Sequence, residues 1–224
     1  DQDENGILYF GNNSGLLTFD SETWRLYPVP NNSIVRSVRV GSDERIYVGC
    51  FNDFGYFAPD LRGELVFHSL LHKVPREYQD FGEVWNIMYY KGGIIFHSYQ
   101  AVFFLYDNVI TLISFNRDLH FAFNVNDQYY VKENGRGILK LADSGLTMVE
   151  HSEYFADILI SSLIPFSRSE ILVFTREKGI FLLGENGIKS FPTPLQRFFK
   201  THQIFSAIAF EDEYFILGTV QNGV

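Results

Sequence analysis

Six times along the chain a short β-type run leads through a polar turn to a small residue, from which a second β-type run starts. The first two copies are Leu8-Tyr-Phe-Gly11 with Gly15-Leu-Leu-Thr-Phe-Asp20, and Ile46-Tyr-Val-Gly49 with Gly55-Tyr-Phe-Ala-Pro-Asp60. The third and fourth are Ile94-Ile-Phe-His97 with Ala101-Val-Phe-Phe-Leu-Tyr106, and Tyr129-Tyr-Val-Lys132 with Gly137-Ile-Leu-Lys-Leu141. The last two are Ile171-Leu-Val-Phe-Thr175 with Gly179-Ile-Phe-Leu-Leu183, and Tyr214-Phe-Ile-Leu-Gly218 with Gly223-Val224. The small residues at 15, 55, 101, 137, 179 and 223 are spaced by 36 to 46 residues. A hairpin repeat of that length is the mark of a β-propeller, a scaffold that places its chemistry in loops.

Each repeat divides into four strands. The second gives Ile34–Val40, Arg45–Gly49, Gly55–Ala58 and Leu65–Ser69; the third gives Val84–Tyr90, Gly93–His97, Val102–Tyr106 and Val109–Ser114. The fourth gives Phe121–Val125, Gln128–Lys132, Ile138–Leu141 and Leu146–His151, and the fifth Ile158–Pro165, Glu170–Thr175, Gly179–Leu183 and Ile188–Phe191. Turns such as Lys91-Gly-Gly93, Asn126-Asp127 and Glu185-Asn-Gly187 supply the positive φ that short hairpins demand. The first repeat starts at Ile7 with its second strand, and the sixth has only Ile204–Phe210 and Tyr214–Thr219. The expected fold is therefore all-β: four whole four-stranded blades plus two partial ones, residues 1–224 being the N-terminal part of a propeller cut within its last hairpin. The connections His72–Glu83 and Thr193–His202 carry helix-permissive residues but no convincing helix. Open blade edges at the two ends predict self-association.

Composition supports sheet. There are 23 Phe and 13 Tyr, residues that fit a pleated, half-buried surface. A net charge of −9, with its 18 basic residues scattered, argues against direct nucleic-acid contact. The single Cys50 allows no intrachain disulfide. No apolar run approaches the roughly 18 residues that span a bilayer.

The usual catalytic patterns do not occur. There is no phosphate loop, no Gly-x-Ser-x-Gly elbow and no His-Glu-x-x-His. His68 and His72 are four apart, but one falls in a strand and the other in a loop, so no metal site and no cofactor is expected. The innermost strands carry no Asp or Glu beyond their edges, Glu83 being the nearest, which counts against a propeller glycosidase. Asn12-Asn-Ser14 and Asn31-Asn-Ser33 match the short N-glycosylation pattern. Trp85 lies in an inner strand and is expected to pack between blades.

The turns between second and third strands gather at one mouth of a propeller. They read Asn12-Asn-Ser14, Phe51-Asn-Asp53, Ser98-Tyr-Gln100, Glu133-Asn-Gly-Arg136, Thr175-Arg-Glu-Lys178 and Val220-Gln-Asn222. Their amides, hydroxyls and charges suit hydrogen bonding to a sugar or a peptide backbone. The candidate ligand-binding residues are Asn12, Asn52, Gln100, Asn134, Arg136 and Arg176, with Tyr99 as an aromatic platform. Arg136→Ala is expected to weaken binding while leaving stability within about 0.5 kcal/mol, as for a turn-tip side chain.

Ile7-Leu-Tyr-Phe-Gly-Asn-Asn-Ser-Gly-Leu-Leu-Thr-Phe-Asp20 followed by Trp24 resembles the two-component regulator propeller repeat. Val35-Arg-Ser-Val38, Arg45-Ile-Tyr-Val-Gly49, Phe54-Gly-Tyr-Phe57, Phe81-Gly-Glu-Val-Trp-Asn-Ile87 and Leu217-Gly-Thr-Val-Gln-Asn-Gly-Val224 strengthen the likeness. It is specific in the first two repeats and weaker in the middle ones. The resemblance implies a periplasmic, seven-bladed sensor region of a membrane-anchored bacterial regulator. Such regulators carry a triple-tyrosine β-sandwich, a transmembrane helix and either a histidine kinase or a helix-turn-helix output. Many of them respond to glycan breakdown products, so an oligosaccharide is the ligand class it implies. No family motif fixes ligand residues. The leading expectation is a non-catalytic sensing propeller. Two other readings stay open: a protein–protein or dimerisation scaffold without a small ligand, and a carbohydrate-active propeller enzyme.

Overall fold

A computed structural model describes residues 1–224 except Arg117, Asp212, Glu213, Asn222 and Val224, and except the side chain of Asn31. The expected loop Val220-Gln-Asn222, the closing Gly223-Val224 and the Asn31 sequon therefore fall partly outside the described residues. Two compact units divide at Arg117 and Asp118.

The first unit holds three antiparallel meander sheets. β1 (Leu8–Asn12), β2 (Gly15–Phe19) and β3 (Trp24–Tyr27) form the first. β4 (Val35–Val40), β5 (Ile46–Cys50), β6 (Phe54–Pro59) and β7 (Leu65–Ser69) form the second. β8 (Val84–Tyr90), β9 (Gly93–Ser98), β10 (Ala101–Tyr106) and β11 (Val109–Phe115) form the third. The second unit repeats the plan. β12 (Leu119–Val125), β13 (Gln128–Glu133), β14 (Gly137–Ala142) and β15 (Gly145–Met148) make one sheet. β16 (Ile160–Pro165), β17 (Glu170–Thr175), β18 (Gly179–Gly184) and β19 (Gly187–Ser190) make the next. β20 (Ile204–Phe210) pairs with β21 (Tyr214–Thr219).

Local chemistry accounts for the hairpins. Asp107-Asn108 and Asn126-Asp127 both take positive φ at two successive residues, and the flanking pairs Tyr106↔Val109 and Val125↔Gln128 close two-residue loops. That is the type I′ geometry whose twist matches the strands. Two of the glycines that anchor the repeats have a tertiary cause. A Cβ on Gly15 would overlap the Tyr27 carbonyl, and one on Gly137 the Ser152 carbonyl, at φ of 137° and 133°. At the start of the third strand, the chain leaving the outer strand passes directly over the backbone.

Burial explains the apolar runs. The second strands β5 and β9 are buried along their whole length, because each lies inside its sheet with neighbours on both faces. The outer strand β7 alternates instead. Between the second and third sheets, Phe54 stacks on Phe96 at 4.4 Å, with Phe103 at 5.1 Å and Phe81 at 5.7 Å. Burying each such ring contributes about 2–3 kcal/mol. In the second unit Phe155, Val173 and Leu183 join Ile160 in one core, and Leu172, Phe174 and Ile204 join Phe199 in another.

Two expectations about elements are corrected. Thr193–His202 contains a helix, α1 (Gln196–His202), because Phe199 inserts into the core and repays the ordering of two turns. The last strand of the fourth repeat stops at Met148. His151 turns left-handed with φ 65°, and the Ser152 hydroxyl bonds to the backbone of Ile138 and Val149, starting a 3-10 turn over Ser152–Phe155.

Candidate ligand-binding rims

Each of the five first strands carries a β-bulge near its start. The register slips between Val35 and Ser37, Val84 and Asn86, Leu119 and Ala122, Ile160 and Ser162, and Ile204 and Ser206. A bulge adds one unpaired residue and re-aims its side chain. The extra residues are Arg36, Trp85, His120 with Phe121, Ser161 and Phe205. They lie at the strand end that adjoins the turns between second and third strands. Serine hydroxyls join neighbouring first strands beside them: Ser37 Oγ donates to Val84 O at 2.7 Å, and Ser161 Oγ to Ile204 O at 2.5 Å.

In the first unit the bulges build an aromatic rim. Arg36 lies over the Trp85 ring at 5.2 Å and its Nε donates to Glu83 Oε1 at 2.8 Å. Trp85 stacks on Tyr99 at 5.5 Å and 17°. Burial, then the Glu83 charge, raises the Tyr99 hydroxyl above its ordinary range, so it is a neutral donor. Phe51, 56% exposed, bridges to Glu83 and borders a cleft of about 440 Å³ lined also by Ser33, Ile34, Asn52 and Asp53. Trp85 is therefore not simply packed between blades. The bulge turns it toward the rim, which strand periodicity does not reveal.

The second unit's rim is cationic. Lys132, almost wholly buried, donates to the carbonyls of Glu133 at 2.9 Å and Ala156 at 2.6 Å. Burial lowers its pKa, opposed by the charges of Asp157 and Glu133. His120 is lowered by burial and then by the Lys132 and Arg176 charges, so its imidazole is neutral at pH 7. The Arg176 guanidinium sits 5.8 Å from the Phe205 ring.

The seven residues singled out from sequence fall into these rims in different ways. Asn12 is half-buried, and its Oδ1 accepts from Ser14 N–H at 2.9 Å, closing the turn. Asn52 takes the left-handed φ of 50°, and its Oδ1 accepts from the N–H groups of Phe81 at 2.9 Å and Gly82 at 2.5 Å. Its Nδ2 donates to Asp80, so this amide is a clip between two chain segments. Tyr99 and Gln100 adjoin the aromatic rim; the Gln100 carbonyl accepts from Asn116 N–H at 2.8 Å. Asn134 is exposed. Arg136 Nη1 pairs with Glu133 Oε2 at 2.7 Å, where the carboxylate is only 7% exposed. Arg176 joins the cationic rim. Sequence reasoning missed Arg36, Phe51, Glu83, His120, Lys132 and Phe205; the repeat of five equivalent bulges is what reveals Arg36, His120 and Phe205.

Among the described residues no three His, Cys, Asp or Glu side chains gather as metal ligands. His68 stacks on Tyr56 at 5.1 Å, and His72 Nδ1 lies 3.0 Å from Ser69 O. Cys50 is buried, and burial followed by Asp53 pushes its thiol up to about 12. Among the described residues no helix is long and apolar enough to cross a membrane.

Successive four-stranded antiparallel meanders of this kind are the blades of a β-propeller, and the fold class is all-β. No protein-family pattern and no curated protein matches the chain. Solved structures do. Catalytically inactive H270A virginiamycin B lyase from Staphylococcus aureus, with quinupristin, aligns at TM-score 0.69 and 15% identity, over 98% of this chain and 75% of that one. The extracellular domain of BT4673 from B. thetaiotaomicron, described as belonging to a hybrid two-component system, aligns at 0.66 and 15%, over 98% of this chain and 30% of that one. The WD40 β-propeller domain of Doa1 aligns at 0.50 and 12%, over 98% and 90%. Likeness at such identities is a likeness of fold.

Proposed function

We propose that the chain is part of a non-catalytic, extracytoplasmic sensing propeller of a bacterial signal-transduction protein, and that it binds oligosaccharide on the rim of its first unit. The observation that carries this reading is the set Phe51, Trp85 and Tyr99, interleaved with Arg36, Glu83 and Gln100. Pyranose rings present C–H faces that lie on aromatic surfaces, and hydroxyls that need directed donors and acceptors. Trp85 and Tyr99 supply the first, and Glu83, Gln100 and the neutral Tyr99 hydroxyl the second. Similarity to an extracellular domain of a two-component-system protein supports the sensing role and a periplasmic location. The parent protein is then membrane-anchored, with its output domain elsewhere.

Isothermal titration with a panel of neutral oligosaccharides tests the placement. Phe51→Ala and Trp85→Ala are expected to weaken binding about tenfold or more, equivalent to about 1.4 kcal/mol. Phe51→Ala is the cleaner variant, since Phe51 is exposed. Binding that survives both substitutions rejects the rim. Release of reducing ends from the same panel would establish the enzyme reading instead, and absence of any binding would leave the scaffold reading.

A further inference from the structure

Among the described residues Arg176 has no ion-pair or hydrogen-bond partner for its guanidinium, and its Nε is buried with no acceptor. A buried donor left unbonded costs about 1–3 kcal/mol, so such a group in a folded protein needs an explanation. Its own peptide is fixed on both sides: its N–H donates to Leu159 O at 2.9 Å, and its carbonyl accepts from Ile204 N–H at 3.1 Å. The backbone is thus fixed at the rim, and the guanidinium lies 5.8 Å from the Phe205 ring. Lys132 and His120 come from two other strands, and both Lys132 and Arg176 are close enough to act on His120 electrostatically.

Two of the nearby carboxylates are already engaged. Glu133 is held by Arg136 at 2.7 Å, and Glu177 accepts from Gln203 Nε2 at 3.1 Å. Asp157 is exposed and acts on Lys132; with Ile158, Leu159, Arg176, Glu177 and Lys178 it lines a cavity of about 150 Å³. That volume suits one small oxyanion and is too small for a sugar ring with its substituents.

We propose that Arg176, supported by Lys132 and His120, forms an oxyanion-binding subsite that takes the carboxylate or sulfate group of a ligand. Arg176 is the direct contact, because its planar fork matches both groups and its Nε lacks an acceptor. Lys132 is tied to two carbonyls and contributes its field. The inference rests on the second unit alone and stands whether or not the first unit binds sugar.

Binding of galacturonate, galactose and inorganic sulfate to the chain at constant ionic strength is the test. Galacturonate or sulfate is expected to bind at least tenfold more tightly than galactose. Arg176→Gln is expected to remove that preference and Arg176→Lys to retain part of it, while Arg197→Gln on the exposed face of α1 changes nothing. Sulfate without galacturonate assigns a sulfate ester, and the reverse assigns a uronic acid. In the unmodified protein the anion is expected to raise the His120 imidazole pKa, followed by NMR; this readout decides the matter if Arg176→Gln fails to fold. Equal binding of galactose and galacturonate, an unaltered preference in Arg176→Gln, or a His120 titration indifferent to the anions would overturn the assignment.

Discussion

Replacing Asn52 by alanine removes the acceptor for two backbone N–H groups at once. Its Oδ1 holds Phe81 N–H and Gly82 N–H, and the backbone adds a third link from Asn52 N–H to Gly82 O at 2.9 Å. Each lost bond costs about 0.5–1.5 kcal/mol net, so the pair contributes about 1–3 kcal/mol. The bond from Nδ2 to Asp80 is exposed and is counted as nothing. Asn52 also sits at φ 50°, where a Cβ without a local polar partner adds about 1–2 kcal/mol. The total for Asn52→Ala is roughly 2–4 kcal/mol, since neighbouring terms overlap. For a chain of this size that lowers the melting temperature by about 4–16 °C. Asn52→Gly keeps the backbone term at no cost and is expected to lose about 1 kcal/mol less. Circular dichroism melts of the two variants against wild type measure both differences. Trp85 fluorescence should change in the native state too, because the clipped segment leads through Glu83 into the aromatic rim. An Asn52→Ala melt within about 1 °C of wild type would refute the clip, and Asn52→Gly as damaging as alanine would refute the φ argument.

Arg136→Ala departs from the behaviour expected of a free turn tip: it removes a charge-assisted bond from the nearly buried Glu133, and a loss of about 1–2 kcal/mol is expected, discounted because Arg136 is exposed. A urea midpoint equal to wild type would show the pair to be inert. Asp53 is raised by burial above its ordinary 3.8, with Ser69 Oγ and Phe54 N–H bonds opposing. Such an acid holds more protons folded than unfolded, so it makes stability fall as pH rises from 3.8 through the folded value. Asp53→Asn keeps the acceptor and removes the charge, so its stability should decline less over that window, and melts at pH 4 to 7 that run parallel to wild type would contradict this. The β20–β21 hairpin exposes Ile208, Phe210 and Tyr214 at 50–59%. Concentration-dependent association, relieved by Ile208→Lys, is expected in sedimentation velocity, and a wild-type monomer at all concentrations would exclude it.

The strands and their turns were legible in the chain because they are local. Asn126-Asp127 and Asp107-Asn108 can form type I′ loops whatever surrounds them, and the second strands β5 and β9 are rich in apolar residues because both their faces are covered. Repetition did the rest: one reading of Ile46-Tyr-Val-Gly49 served for every blade. The anchoring residues Gly15 and Gly137 were legible as a pattern but not as a cause, which lies in the Tyr27 carbonyl at the end of the outer strand meeting Gly15 and the Ser152 carbonyl beyond the outer strand meeting Gly137.

The candidate site was legible only as a set of turns. Sequence named Asn52 as a ligand contact, but a segment some 30 residues away supplies the N–H groups that occupy it. It placed Trp85 inside and Lys132 in an ordinary strand. It could not foresee α1, whose helix depends on a pocket for Phe199. The sequence by itself determined the meander sheets, their order and the polar turns at one strand end, since these follow from periodicity and turn chemistry. Only the tertiary structure decided which way the bulged residues Arg36, Trp85, His120 and Phe205 point, which amides are already spent, and that Arg176 has no ion-pair partner among the described residues. Those outcomes depend on partners supplied by other strands and sheets, and no local pattern records them.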